Sequence, residues 1–133
     1  MLRRIRVGIA DDDELIRLIV SALLSKSEDL QVMAAVEDGE AAVQLALTGT
    51  IDVLLMDIEM PNVTGPEALA RIRKVAPSVQ VIIHSSMPAA RLAGDMRKAG
   101  AAAYLEKPCD PQRMIEAIRS VVEAAERGLV GRR

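Results

Sequence analysis

The segment VLLMDIEMPNVTG, residues 53–65, joins a buried strand to a charged residue. Residues 53–56 are all apolar, which is typical of a strand covered on both faces. Asp57 follows directly, and a carboxylate beside such a strand must be paired, bind a metal or be solvated at the strand's end. The segment VGIADDDEL, residues 7–15, repeats the arrangement, because its apolar run leads into three consecutive aspartates. Two buried strands that end on acids indicate an assembled site.

Short apolar runs alternate along the whole chain with segments of helical periodicity. Each run is short and rich in β-branched or aliphatic residues, as buried strands are. The five predicted strands cover residues 5–10, 30–36, 53–56, 79–83 and 102–105. Five strand–helix units in strict alternation predict an α/β fold, a doubly wound five-stranded parallel sheet with right-handed crossovers and helices on both faces.

The segments between the strands carry helix start and stop signals. Asp38 is a candidate cap of the second helix, which Gly49 ends. TGPE at 64–67 has the spacing of a capping box, and the last two helices are predicted to begin near Pro88 and at Pro111. Helical spacing predicts that the buried face of the first helix consists of Leu15, Leu18, Ile19, Ala22 and Leu23.

The 133 residues are enough for one domain with its own core and too few for two ordinary domains. We expect a single domain over residues 1–133, with its core at about 5–127 and a tail or the start of a linker at 128–133. The net charge of −2 predicts no general attraction to nucleic acid or anionic lipid. Cys109 is the single cysteine, so no internal disulfide forms. No apolar run approaches the ~20 residues of a membrane helix, which makes a cytoplasmic protein the default expectation.

The polar residues at the strand ends are expected to converge, because ligands of such sheets bind at the carboxyl ends of the strands. The first strand leads into Asp11 and Asp12, the third into Asp57, the fourth into Ser85 and the fifth into Lys107. Three carboxylates at close range repel one another, and Mg²⁺, which prefers hard oxygen ligands, is the usual remedy. The cation, the hydroxyl and the ammonium could together hold a phosphoryl group. An aspartate can itself be the nucleophile and form an aspartyl-phosphate.

Each of these residue types also has an ordinary structural role. An aspartate after a strand is more often a helix cap, and Asp13 fits that role for the first helix. Lys107 before a proline is typical of a surface turn, and Ser85 can satisfy a turn. His84 has no second histidine or nearby cysteine in its motif, so we interpret it as a core histidine. The functional interpretation therefore depends on the order and spacing of the whole set.

Four motifs together resemble those of one family, the receiver domains of two-component response regulators. They are ADDDE at 10–14, MDIEMPNVTG at 56–65, SS at 85–86 and YLEKP at 104–108. The resemblance covers about residues 5–127 and implies the flavodoxin-like (βα)5 fold with strand order 2-1-3-4-5. It also implies a phosphoacceptor switch, which is not an enzyme and catalyses only its own phosphorylation and dephosphorylation.

The resemblance assigns roles to the residues at the strand ends. The aspartate that matches Asp57 accepts a phosphoryl group from a histidine kinase or a phosphotransfer protein. Those that match Asp11 and Asp12 bind Mg²⁺ together with Asp57, and the backbone carbonyl at the position of Glu59 contributes. The lysine that matches Lys107 forms a salt bridge to the phosphoryl group. Mg²⁺ is therefore the expected cofactor.

Ser85 and Tyr104 match the switch residues of the family. Ser85 is expected to sense the phosphoryl group, and we predict that Tyr104 favours an inward rotamer in the phosphorylated state, reshaping the surface of the last two strand–helix units. VMAAVEDGEAAVQLA, residues 32–46, also resembles receivers that precede a helix-turn-helix domain. A C-terminal DNA-binding domain or a downstream protein is therefore the candidate output, and a phosphorylation-dependent homodimer the candidate assembly.

Three other functions share some of these features. Phosphatases of the haloacid-dehalogenase type also use a strand-end aspartate, Mg²⁺, a hydroxyl and a lysine, but they need a second aspartate where this chain has Glu59. An FMN carrier needs a phosphate-cradling loop after the first strand, where ADDDE would repel the phosphate. A phospho-independent interaction module remains the alternative, although the complete set of acids, hydroxyl and lysine disfavours it.

Overall fold

The computed structural model describes the backbone of residues 3–131 and the side chains of residues 3–128. Within this range, strands and helices alternate in the order β1 (Ile5–Ala10), α1 (Glu14–Ser25), β2 (Leu30–Val36), α2 (Gly39–Leu47), β3 (Val53–Met56), α3 (Gly65–Val75), β4 (Gln80–Ser85), α4 (Ala89–Lys98), β5 (Ala103–Glu106) and α5 (Pro111–Gly131). The strands form one parallel sheet in the order β2-β1-β3-β4-β5. The predicted doubly wound fold and its strand order are confirmed.

The first three strands have the predicted bounds, whereas the last two begin and end slightly later. β4 starts at Gln80 and includes Ser85, and β5 includes Glu106. Ser85 and Glu106 are partners in the parallel register of these strands. Both side chains therefore start from regular sheet backbone, which fixes their positions better than a loop would.

The sheet is covered on both faces, and its side chains alternate between two apolar layers. On one face it packs against α2, α3 and α4, with a layer that includes Leu54, Met56, Leu69, Ile72 and Ile83. On the other face it packs against α1 and α5, with a layer that includes Val7, Leu55, Ile82, Leu105 and Ile118. The central strand β3 is buried along its whole length, so its end is a rigid support for Asp57.

The predicted buried face of α1 is wrong. Leu15 and Leu18 are each 62% exposed and Ile19 is 45% exposed, whereas Val20 and Leu24 are buried. The sequence of α1, ELIRLIVSALLS, is apolar around most of its circumference, so more than one face fits the helical spacing. In the fold the helix turns Val20 and Leu24 toward the sheet, with Ile16 packed against the same layer, and leaves Leu15, Leu18 and Ile19 in solvent.

The predicted helix signals are confirmed at most of the helix ends. The side chain of Asp13 caps α1, Asp38 caps α2, and Thr64 forms the capping box of α3 with Glu67. Helix α5 continues from residue 128, where a tail was expected, to Gly131. A single glycine costs a helix only about 1 kcal/mol, which does not stop it. Residues 132–133 lie outside the described range, and no helix within that range is long and apolar enough to cross a membrane.

Candidate functional site

Asp57 lies at the carboxyl end of β3 and is only 8% exposed. Its Oδ1 accepts a hydrogen bond from the N–H of Ile58 at 2.7 Å, and its Oδ2 accepts one from Nζ of Lys107 at 3.3 Å. The N–H of Asp57 donates to the carbonyl of Ala10 at 3.0 Å, which extends the pairing of β1 and β3 by one residue. The carboxylate is therefore held in place by backbone on one side and by an ammonium on the other.

Asp11 occupies the corresponding place after β1 and is almost fully buried. Its Oδ2 accepts a hydrogen bond from Nζ of Lys107 at 2.7 Å, and its Oδ1 accepts one from the N–H of Asp13 at 2.9 Å. Lys107 thus bridges two buried carboxylates and lies closer to Asp11 than to Asp57. With Asp12 beside them, three carboxylates share one ammonium.

The pKa values of Asp57 and Lys107 reflect burial together with the charges of their neighbours. Burial raises the pKa of Asp57, the charge of Lys107 opposes this effect and the charge of Asp11 adds to it, so that the pKa lies above its ordinary value. Burial by itself would lower the pKa of Lys107, but the hydrogen bond to Asp11 and the charges of both aspartates raise it overall. Lys107 is therefore charged at neutral pH, and the three carboxylates still outnumber its single positive charge.

The acids fit a Mg²⁺ ion. One carboxylate oxygen from each of Asp11, Asp12 and Asp57 lies within 4.8 Å of the other two. Mg²⁺ binds oxygen at about 2.1 Å, so ligands on opposite sides of the ion are about 4.2 Å apart. Only a small closing movement is therefore needed. Asp12 is exposed, so that side of the cluster is accessible to water and to a phosphoryl oxygen.

The site opens onto a groove of about 540 Å³. The groove is lined by Asp12, Ile58, Glu59, Met60, Pro61, Thr64 and Pro66. The side chain of Glu59 is exposed in this groove. This exposure is compatible with the predicted role of Glu59, which involves only its backbone carbonyl.

Gly65 lets the start of α3 approach the backbone of Asp57. Its N–H donates to the carbonyl of Ile58 at 2.8 Å, which closes the loop between β3 and α3. A Cβ atom at this position would collide with the carbonyl oxygen of Asp57 and with Cα of Ile58. Any other residue would have to displace the backbone that carries the carboxylate.

Ser85 and Tyr104 meet at Met87, in the loop between β4 and α4. Ser85 is fully buried, and its Oγ accepts a hydrogen bond from the N–H of Met87 at 3.1 Å. The hydroxyl of Tyr104 donates to the carbonyl of Met87 at 2.7 Å. The Tyr104 ring, at 7% exposure, already lies inward in this structure. An inward ring is therefore not specific to a phosphorylated state, and the predicted rotamer change stays a prediction.

His84 is buried, which confirms its interpretation as a core histidine. It precedes Ser85 on β4, so its side chain points to the opposite face of the sheet. Burial, together with the charge of Lys107 and partly offset by that of Asp11, lowers the pKa of His84 to about 4. The imidazole is therefore neutral at neutral pH.

Residues 7–119 match the family model of the response regulator receiver domain. This chain belongs to that family. Over 120 residues the receiver is 37% identical to the response regulator UvrY of Escherichia coli K12. The match covers 88% of this chain and 54% of UvrY, so the chain spans about half the length of this relative.

Solved receiver structures have the same fold. The response regulator domain of CheB from Thermotoga maritima superposes with a TM-score of 0.85 at 32% identity, covering 91% of this chain and 98% of that one. A DNA-binding response regulator of the LuxR family from Staphylococcus aureus superposes with a TM-score of 0.82 at 28% identity, covering 89% and 98%. The chain is thus a receiver domain of two-component signalling, as its motifs predicted.

Two features of the receiver site were missed in the sequence. Glu106, the residue before Lys107, accepts a hydrogen bond from the N–H of Ala89 at 2.7 Å, and its position at a strand end next to a site residue was an available signal. The carbonyl of Met87 joins Tyr104 to the loop after β4, and no sequence pattern marks a backbone acceptor. Both contacts join β5 to the segment from the loop after β4 to the start of α4.

Proposed function

We propose that this receiver domain accepts a phosphoryl group on Asp57 in a Mg²⁺-dependent reaction. The observation that carries the proposal is the position of Asp57, which is buried at the end of the central strand, held by Ile58 and Lys107, and adjacent to two further carboxylates. A histidine kinase or a phosphotransfer protein is the proposed donor. The carboxylate oxygen of Asp57 forms the new P–O bond as the P–N bond of the donor breaks, and the electron pair of that bond stays on the histidine nitrogen.

The surrounding residues have separate proposed roles in balancing the negative charge of the phosphoryl group. Asp11, Asp12 and Asp57, with the backbone carbonyl of Glu59, are the proposed ligands of Mg²⁺, which when bound supplies positive charge to the phosphoryl oxygens. Lys107 is the proposed partner of the phosphoryl group, because its ammonium already contacts Oδ2 of Asp57. The phosphoryl group would be attached to this oxygen or to Oδ1 of the same carboxylate. Burial of Asp11 and Asp57 strengthens the interactions that these two carboxylates make.

Ser85 and Tyr104 are the proposed switch residues. The hydroxyl of Ser85 can donate to a phosphoryl oxygen, and the same hydroxyl is bonded to Met87 in this structure. Tyr104 is bonded to the carbonyl of the same residue, so movement of the loop after β4 alters the surroundings of both side chains. Phosphorylation would then bias a two-state equilibrium of the surface formed by α4, β5 and α5.

The relatives support a proposal for output. The match covers only 54% of UvrY, and the matched Staphylococcus aureus protein is described as DNA-binding. We therefore propose that the receiver acts in the cytoplasm and controls a C-terminal DNA-binding domain or a downstream protein, with a homodimer as the phosphorylated assembly. The receiver itself, with a net charge of −2, is not the proposed nucleic-acid-binding part.

Phosphorylation with a small donor tests the proposal. Protein is incubated with Mg²⁺ and acetyl phosphate, and the mass of the intact chain and the modified residue are determined by mass spectrometry. The wild type should gain one phosphoryl group, and Asp57→Asn should gain none. Asp52→Asn is the matched control, since Asp52 lies at the other end of β3, and it should be labelled like the wild type. Undiminished labelling of Asp57→Asn would refute the assignment.

A further inference from the structure

Arg17, the fourth residue of α1, reaches back over the start of its helix to the loop between β1 and α1. Its Nη1 donates a hydrogen bond to the carbonyl of Asp11 at 2.8 Å. Side chains on a helix lean toward its amino end, so a long side chain near the start can contact residues that precede the helix. Arg17, which is half-buried, therefore contacts the backbone that carries two of the proposed Mg²⁺ ligands, Asp11 and Asp12.

The accepting carbonyl belongs to the peptide unit that joins Asp11 to Asp12. A peptide unit is planar, so a hydrogen bond to the carbonyl of Asp11 also fixes the direction of the N–H and Cα of Asp12. The backbone N–H of Arg17 donates to the carbonyl of Asp13 at 3.1 Å. Arg17 thus holds the backbone on both sides of Asp12, whose own side chain is exposed.

The two residues that flank Asp12 are also held through their side chains. The carboxylate of Asp11 accepts hydrogen bonds from the N–H of Asp13 and from Lys107, and the carboxylate of Asp13 caps α1. None of these contacts is made to the peptide unit between Asp11 and Asp12, whereas the bond from Arg17 is. The place from which Asp12 extends toward an ion therefore depends on that bond.

The charge of Arg17 and its hydrogen bond have opposite effects on a cation. The guanidinium is bonded to a carbonyl, so it leaves the carboxylate oxygens free, unlike Lys107, which contacts oxygens of Asp11 and Asp57. As a positive charge beside the acids, however, it repels Mg²⁺. Loss of the charge alone would tighten Mg²⁺ binding, whereas loss of the bond would loosen Asp12 and weaken it. The sign of the change in affinity therefore separates the two effects.

We infer that Arg17 is a positioning residue for the Mg²⁺ site, because it fixes the peptide unit from which Asp12 reaches the ion. The inference rests on the proposed function, which assigns Asp11 and Asp12 to Mg²⁺. A ligand that is held in place before the ion arrives loses less conformational freedom on binding, so the affinity is higher. Arg17 is not a proposed ligand of the ion or of the phosphoryl group, and it acts through the backbone alone.

Two substitutions of Arg17 separate the hydrogen bond from the charge. Arg17→Met removes both and keeps a long side chain with high helix propensity. Arg17→Lys keeps the charge and an ammonium that can donate to the same carbonyl. Val20→Ala is the matched control, because it removes buried packing from the same helix and leaves the contacts of Arg17 in place.

Mg²⁺ is titrated into each variant while backbone amide NMR signals are recorded. Arg17→Met should raise the Mg²⁺ dissociation constant about three- to tenfold, the range that corresponds to the net contribution of one hydrogen bond. Arg17→Lys should stay within about twofold of the wild type, and Val20→Ala should match the wild type although it is less stable. Before Mg²⁺ is added, the amide nitrogen of Asp12 should already shift in Arg17→Met, because it shares the peptide unit with the accepting carbonyl.

The rate of labelling by acetyl phosphate gives a second readout. Because Arg17 is not a proposed contact of the phosphoryl group, Arg17→Met should be labelled slowly only at low Mg²⁺ and should reach the wild-type rate at saturating Mg²⁺. A defect that persists at saturation would place Arg17 in the transfer step itself and would overturn the positioning role.

The Mg²⁺ titrations have distinct meanings. Unchanged or tighter binding by Arg17→Met would overturn the inference, and tighter binding would leave Arg17 only the effect of its charge. An equal loss of affinity in Arg17→Lys or in Val20→Ala would also contradict it, because the loss would then not follow the hydrogen bond. A wild type that binds no Mg²⁺ would instead refute the proposed function, and this inference with it.

Discussion

Asp52 and Asp57 flank the same strand, β3, yet their surroundings are opposite. Asp52 accepts hydrogen bonds from the guanidinium groups of Arg3 and Arg6 and from the N–H of Arg6, all between 2.8 and 3.3 Å. Burial by itself would raise the pKa of Asp52, but the bonds from the two arginines hold it well below its usual range. The pKa of Asp57 instead lies above its ordinary value, chiefly because the carboxylate is buried; the charge of Lys107 opposes this effect and that of Asp11 adds to it.

The two aspartates show how the surroundings of a carboxylate determine its role. At the amino end of β3, two cations serve one acid, which stabilises the fold and leaves little affinity for a further ligand. At the carboxyl end, Lys107 is the salt-bridge partner of both Asp11 and Asp57, and Asp12 lies beside them, which costs stability and leaves affinity for a divalent ion. The residue type is the same in the two places, but the two aspartates lie at opposite ends of β3. At the carboxyl end the neighbouring strand ends bring further carboxylates together, whereas at the amino end Asp52 lies between two arginines.

Mg²⁺ should produce the largest difference in the free energy of unfolding between variants at the two ends of β3. It binds the native acid cluster and has no comparable site in the unfolded chain, so it should raise the free energy of unfolding by about 2.7 kcal/mol at a hundred times its dissociation constant. Asp52→Asn should gain as much as the wild type, whereas Asp12→Ala should gain almost nothing. Urea unfolding with Mg²⁺ and with a chelator measures the gain. An equal gain in Asp12→Ala would show that the ion binds elsewhere.

Neutralising each aspartate without metal should change stability in opposite directions. Asp52→Asn loses charge-assisted hydrogen bonds from Arg3 and Arg6 and should lower the free energy of unfolding by about 2 kcal/mol. Asp57→Asn relieves repulsion with Asp11 and should raise it by about 1 kcal/mol. Both values come from urea unfolding in the presence of a chelator. If Asp57→Asn were less stable than the wild type, Lys107 would neutralise the cluster better than the geometry indicates.

Mild acid should give the smallest change in stability, and this change arises from His84, near the carboxyl end of β4. The pKa of His84 is lowered from 6.5 to about 4, so the unfolded chain takes up a proton below pH 6.5 that the native protein does not. Stability from His84 is fully present above pH 6.5 and falls with pH, by about 1 kcal/mol between pH 6.5 and 5.5. Asp52 remains ionised in this window. His84→Leu should show a flatter profile by that amount, and an identical profile would mean that His84 titrates normally.

Much of the fold and the site could be predicted because buried parallel strands constrain their sequences strongly. Residues 53–56 read as a strand and are one, and Asp11, Asp57 and Lys107 converge because parallel strands end at the same edge of the sheet. These predictions depend on alternation and order along the chain. Neither requires knowledge of how a helix is rotated or which side chain pairs with which.

The remaining features depend on contacts between elements, which spacing does not determine. More than one face of α1 is apolar, so helical spacing does not determine its rotation, and the exposure of Leu15 and Leu18 was not predicted. Lys107 was assigned to a phosphoryl group, and its present contacts with both acids follow from the distance between strand ends. The hydrogen bond between Ala89 and Glu106 joins residues 17 positions apart, and only the packing of β5 beside α4 brings them together.

The bond between Tyr104 and the carbonyl of Met87 gives the protein a built-in optical reporter. The chain has one tyrosine, no tryptophan and no phenylalanine, so its near-ultraviolet absorption and fluorescence come from this ring alone. The phenol spectrum depends on whether its hydroxyl donates to a carbonyl or to water. Rapid-mixing measurements can therefore follow the loop after β4 in real time without an attached dye, and every substitution that leaves position 104 intact preserves the signal.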